Sequence, residues 1–226
     1  MASSAGGSRG LENLSTFSPA INPTTGNYLV VSIVAYEIAT HTGTTLAKSS
    51  GSATIGTITT PGNISAVVDT TNFLDLKRFV VPIVTGGTLV LQLTNATAGS
   101  GGVTAAYQEY SGSGLTLAGT QQSATLGNST SESIPAVTVP TGGLGVGVFT
   151  EVSGDITRSS KSHTTIYEEN AGTSYLTIFL QDTLNTGSQS FSDTISSISQ
   201  WDGLAVALTE SAAPTKKHNM MLRGVD

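Results

Sequence analysis

Leu144-Gly-Val-Gly-Val-Phe149 is the stretch on which the reading of this chain turns. Leu144, Val146 and Val148 fall on one face of an extended segment, and Gly145 and Gly147 fall on the other. A period of two with a single apolar face is the pattern of an antiparallel strand packed on one side. The paired glycines strip the opposite face of side chains, so that another backbone or a large ring can approach it closely. Packing across a sandwich is the reading we favour for them.

The same pattern spreads outward. Tyr28-Leu-Val-Val-Ser-Ile-Val-Ala-Tyr36 is a continuous apolar run, and in Thr88-Leu-Val-Leu-Gln-Leu93 the three leucines share a face. Roughly a dozen such runs lie between Gly26 and Glu210, rich in Val, Ile, Thr and Tyr. They are cut by turn-forming clusters such as Thr85-Gly-Gly87, Thr141-Gly-Gly143 and Asn185-Thr-Gly187. No long helical periodicity is present; one short helical turn is expected around Asn72–Leu76. The expected fold is all-β, a single antiparallel β-sandwich of jelly-roll-like type with extended arms at both ends.

Three segments follow from this. Residues 1–25 read as an N-terminal arm with isolated apolar residues, 26–210 as the sandwich, and 211–226 as a C-terminal arm beginning near Pro214. The second arm gathers Lys216, Lys217 and Arg223, three of the chain's nine basic residues, around Met220, Met221 and Leu222. A basic strip with adaptable Met and Leu anchors suits docking on an acidic partner surface, and these six residues are the candidate partner contacts. The alternative is a frayed terminus.

Composition narrows the function. Only 11% of the 226 residues are charged and none is Cys, against about a quarter charged in an average soluble domain. Without Cys, disulfides contribute nothing, which fits folding in a reducing compartment. The net charge of −6 does not suit neutralisation of phosphates, so nucleic acid is not an expected partner. No apolar stretch reaches the length of a membrane span, and the N-terminus lacks the apolar core of a signal peptide.

Chemistry-bearing patterns are sparse. The three histidines, His41, His163 and His218, stand alone in the sequence, and no metal or cofactor motif is present. Asp155 and Asp182 sit in turn-like contexts, where Asp commonly bonds its own backbone. Gly6-Gly-Ser-Arg-Gly10 matches the spacing of a nucleophile elbow but lacks the strand before it and the helix after it. Two carboxylate pairs, Glu168-Glu169 and Glu109/Glu151, raise the question of glycoside hydrolysis. Their position after strong strand patterns suits solvent-facing or strand-end charges instead. Trp201, the only tryptophan, reads as a core anchor rather than a sugar platform.

Val103-Thr-Ala-Ala-Tyr-Gln-Glu-Tyr-Ser-Gly112, Gly143-Leu-Gly-Val-Gly-Val-Phe149 and Trp201-Asp-Gly-Leu-Ala-Val-Ala-Leu208 occur in that order. Together they resemble a jelly-roll-like β-sandwich found in virion proteins of tailed bacteriophages, from about Asn27 to Leu208. The likeness lies in strands and provides no catalytic residues. It implies a non-enzymatic structural role, foremost a capsid decoration or cement protein, with the major capsid protein or other virion proteins as partners. A homo-oligomer and a place in the virion are implied with it. The competing expectation is a glycan- or receptor-binding module, which needs exposed rings from among Tyr36, Tyr107, Tyr110, Tyr167, Tyr175 and Trp201.

Overall fold

The computed structural model describes residues 2–11, 20–37, 45–67, 73–94, 103–111, 114–152, 156–169 and 177–210. It is built from fifteen strands, and no helix occurs among the described residues. In chain order the first eight are β1 (Ala2–Leu11), β2 (Tyr28–Glu37), β3 (Thr45–Ser50), β4 (Thr54–Ile55), β5 (Thr59–Val67), β6 (Phe73–Thr85), β7 (Val90–Thr94) and β8 (Val103–Tyr110). The remainder are β9 (Leu115–Leu117), β10 (Gln122–Val139), β11 (Leu144–Val152), β12 (Arg158–Ser159), β13 (Thr164–Glu169), β14 (Ile178–Thr183) and β15 (Gly187–Glu210).

The chain completes one sheet before starting the next. The first sheet runs β1-β8-β2-β6-β4, with β5 also on β6; the second runs β10-β15-β11-β14-β13, with β9 and β12 also on β15. Every strand pairing among the described residues is antiparallel. A separate ribbon, β3-β7, covers the first sheet.

Alternation sorts the side chains into three apolar layers. Leu29, Val31, Ile33, Phe79 and Val81 point outward from the first sheet onto the ribbon's Leu46, Leu91 and Leu93. Val30, Val80 and Tyr110 point the other way and meet Leu144, Val146, Val206 and Leu208 of the second sheet. Val34, Leu76 and Ala106 extend that contact to Val148, Leu180 and Leu204. On the far side of the second sheet, Phe149, Phe179, Trp201 and Ala205 pack against Ile134, Val137 and Phe191.

That last layer comes from β10 and β15 themselves. They pair from Gln122↔Ala205 to Val139↔Gly187, with register shifts on the way. Their distal half folds back over the sheet that their proximal half belongs to. The glycines make this possible. A Cβ on Gly147 would lie 2.5 Å from Cδ1 of Phe191, and one on Gly203 would lie 2.5 Å from Cγ1 of Ile134. The buried Phe191 ring is worth about 2–3 kcal/mol of apolar burial.

The strand map departs from the sequence expectation in three places. Phe73–Leu76 begins β6 and is not a helical turn, because pairing with both β2 and β5 overrides its weak helical spacing. Gln189–Thr194 and Gln200–Leu208, separate strand-like runs in the sequence, belong to one strand bridged by a Ser-rich stretch. In the segment read as an N-terminal arm, Ala2–Leu11 pairs with β8 at the sheet edge, and Ile21 bridges Leu89 by reciprocal backbone hydrogen bonds of 2.8 and 2.7 Å.

Candidate functional site

The densest group of titratable side chains lies beneath the folded-back hairpin. Arg158, from the short strand β12, reaches Glu132 of β10 (2.6 Å) and Asp193 of β15 (2.5 Å) with Nη1 and Glu151 of β11 with Nη2. Its guanidinium also lies over the Phe179 ring, 4.4 Å from the centroid. Thr177 donates its hydroxyl to the other oxygen of Glu151. The Arg158 side chain is 1% exposed and the three carboxylates are sealed with it.

Burial sets the electrostatics of this cluster. Glu132 is pushed up to about 11, first by desolvation and then by the charge of Glu151. Desolvation also raises Glu151, against the opposing pull of Arg158. Burial alone would lower Arg158, but the three carboxylates, Glu151 foremost, hold it above its ordinary value. The cluster thus sheds excess negative charge by keeping a proton at Glu132. It joins β10, β11, β12 and β15 at one point. Among the described residues no group of three or more His, Cys, Asp or Glu side chains is arranged to hold a metal.

A second polar thread crosses the interface between the sheets. Arg78 of β6, fully buried, donates from Nη1 to the Val146 carbonyl (2.7 Å) and from Nε to Ser32 Oγ (3.3 Å). Desolvation lowers it to about 10. Nearby, Tyr110 Oη donates to Asp182 Oδ2 at 3.0 Å. Burial raises both the Tyr110 hydroxyl and the Asp182 carboxyl.

Tyr110 and Asp182 reach the surface in a groove of about 550 Å³, which His163 and Asn185 also line. A smaller groove of about 310 Å³ lies between Gly119 and Pro140, with Ala118, Ala136 and Val137 in its walls.

The sequence-derived candidates are distributed as follows. Lys216, Lys217, Met220, Met221, Leu222 and Arg223 lie outside the described residues, as do His41, His218, Asp155 and Tyr175. Glu109 and Glu151, expected at the surface, are instead 3% and 0% exposed. Glu109 Oε1 accepts from the Thr24 amide (2.8 Å) and from Asn27 Nδ2 (2.5 Å), fixing the lead-in to β2. Glu151 is held by Arg158. They stand on opposite outer faces of the two sheets, so no cleft joins them. Glu168 pairs with Lys161 at 2.5 Å on the surface.

Trp201 is 6% exposed, meets Phe149 edge-on at 6.2 Å between centroids and donates Nε1–H to Ser129 Oγ at 3.3 Å. Tyr107 packs half-buried on the ribbon-side core, and Tyr167 on the core between the sheets. None of the rings whose side chains are described offers an exposed stacking platform. No family model, curated protein or solved structure matches this chain.

Proposed function

We propose that this chain is a non-enzymatic structural subunit of a virion, foremost a decoration or cement protein that docks on the capsid of a tailed phage. It acts through the sandwich surface and its terminal segments, as a homo-oligomer bound to the major capsid protein or to another virion protein. The observation that carries this reading is the sealed Arg158 cluster. Four of the chain's few charged side chains are committed to locking a hairpin onto its own sheet. The exposed positions among the described residues are largely hydroxyl-bearing and small, which suits fitting against neighbours better than acid–base chemistry. A symmetric assembly is the common setting for such parts, and terminal segments that reach a neighbour gain from high effective concentration.

The test is co-sedimentation of the full chain with empty shells of the major capsid protein encoded beside its gene. Saturable binding in the micromolar range or tighter, weakened about tenfold by removal of residues 211–226 with melting unchanged, is the expected result. Absence of binding, or turnover of ester, glycoside or phosphate substrates by the purified chain, overturns the proposal.

A further inference from the structure

The groove at the end of the second sheet has a chemistry of its own. Its size, about 550 Å³, falls within the range of small-molecule sites. Its floor is the Tyr110–Asp182 pair, one residue from each sheet, so the groove opens along the seam between them. One wall carries Ser162 and His163. The other is the turn after β14, where the Asn185 amide donates to Thr183 Oγ1 at 3.2 Å and leaves Leu184 55% exposed.

The walls are already set. His163 Nε2 lies 2.8 Å from the Ser190 carbonyl, and its ring meets Phe191 edge-on with centroids 4.7 Å apart. Because a carbonyl only accepts, Nε2 carries the proton, and in the neutral ring Nδ1 is left as an acceptor. Gln181 Oε1 accepts from the His163 amide (3.0 Å) and the Ser162 hydroxyl (3.1 Å), tying that wall to β14. A ligand would meet groups that need little ordering on binding.

The lining selects the ligand class by charge. Among the described lining residues there is no Lys or Arg, and Asp182 faces the groove, so a phosphate or carboxylate ligand meets a carboxylate instead of a basic side chain from these residues. Among the described lining residues a metal ion would find a single carboxylate, already engaged by Tyr110. What is left is a hydroxyl- and amide-lined cleft with one exposed aliphatic side chain. We propose that this groove binds a neutral saccharide unit, with Asp182 and Asn185 taking its hydroxyls and Leu184 packing against its C–H face. Each sugar hydroxyl both donates and accepts, matching a carboxylate beside an amide. Of the described rings considered for stacking, Tyr110 alone lines the groove, and it is engaged there through its hydroxyl.

The test is saturation-transfer NMR on the full chain with the methyl glycosides of glucose, galactose, mannose and N-acetylglucosamine, followed by calorimetry with the matching oligosaccharides. At least one glycoside should bind saturably with a dissociation constant in the millimolar range or tighter. Asn185→Ala should weaken it about fivefold and Asp182→Asn about tenfold or more. Asn185 is exposed, so its variant should keep the wild-type melting temperature and show that weakening in a folded protein. Affinity that rises with oligosaccharide length identifies a surface polysaccharide as the source, and equal affinity a free sugar. If no glycoside binds up to about 20 mM, or if binding survives Asn185→Ala and Leu184→Asp together, the proposal fails. Shell co-sedimentation of Asn185→Ala should match wild type, which separates this result from the structural role.

Discussion

Replacing Gly147 with Ala tests the layer that sets this fold apart from a plain two-sheet sandwich. The new methyl carbon would lie 2.5 Å from Cδ1, 2.6 Å from Cγ and 3.0 Å from Cβ of Phe191. Carbon pairs settle at about 3.5–4.0 Å, so Phe191 must retreat by about 1 Å. Turning the ring is not enough, because its own Cβ is among the close atoms. Phe191 is fully buried, and its strand is pinned two residues on, where Asp193 meets Arg158. The distal hairpin must therefore lift as a unit.

Overpacking of this kind costs about 1–3 kcal/mol. Loss of glycine's freedom in the unfolded chain returns about 0.4–1 kcal/mol. The net expectation is a loss of about 1–2 kcal/mol, or a drop of about 2–8 °C in melting temperature for a chain of this size. Urea unfolding followed by circular dichroism measures it. The decisive step is the double variant with Phe191→Leu, which vacates the colliding ring. Phe191→Leu alone should cost about 1–2 kcal/mol, while the pair together should fall short of the sum by about 1 kcal/mol. A neutral or stabilising Gly147→Ala, with an additive double variant, would refute the packing of the folded-back hairpin on β11.

Three further outcomes follow from the buried groups. Arg158→Met should destabilise by about 3–5 kcal/mol, because it leaves Glu132, Glu151 and Asp193 sealed without their cation; a loss below about 1 kcal/mol in urea titrations would show that the cluster is open to water. Glu132 is raised from 4.5 to about 11 in the folded chain, so its stabilisation is complete below pH 4.5 and is lost as pH rises toward about 11. The protein should accordingly melt lower at pH 9 than at pH 6, with Glu132→Gln flattening that slope at little cost in stability, and a melting temperature that rises over this interval would contradict the assignment. Trp201 fluorescence should be blue-shifted and poorly quenched by acrylamide, and emission typical of a solvated indole would place the ring outside the core.

Much of this architecture was legible because period two is a strict rule. Leu144–Val152 is a strand with the faces expected, and Tyr107 and Tyr110 point into different cores. Legibility failed where the pattern turned polar. Ser123, Asn128, Ser129 and Ser131 carry few apolar signals, yet β10 runs through them because β15 supplies backbone partners all along. Thr45–Ser50 has no apolar face of its own, and its pairing with β7 as β3 comes from tertiary context.

The buried charges leave a trace in the sequence. Arg78 is two residues from both Leu76 and Val80, Asp193 two from both Phe191 and Ile195, and Glu151 two from Phe149. Alternation places each on an apolar face, where a charge requires a partner. What the sequence withholds is the identity of that partner. Arg158 stands in a two-residue strand with no periodicity, and only the fold brings it beneath the hairpin. The groove is partly foreshadowed by Asp182 and Asn185 in a turn context; its other wall, at Ser162 and His163, carries no pattern beyond an isolated histidine.

These charges also fix how the hairpin closes. Glu132 and Asp193 are direct cross-strand partners, and like charges so placed repel. Pairing β10 with the distal half of β15 is therefore unfavourable until Arg158 arrives between them and Glu132 takes up a proton. Arg158 is delivered by β12, which itself pairs with β15 at Ile195. A slip of one residue between the strands would turn Ile134 or Phe191 toward solvent along with its neighbouring acid. The correct register alone buries both side chains and brings both carboxylates to Arg158. The ion cluster and the glycine-lined shelf thus select one arrangement from two sides, the first through charge and the second through shape.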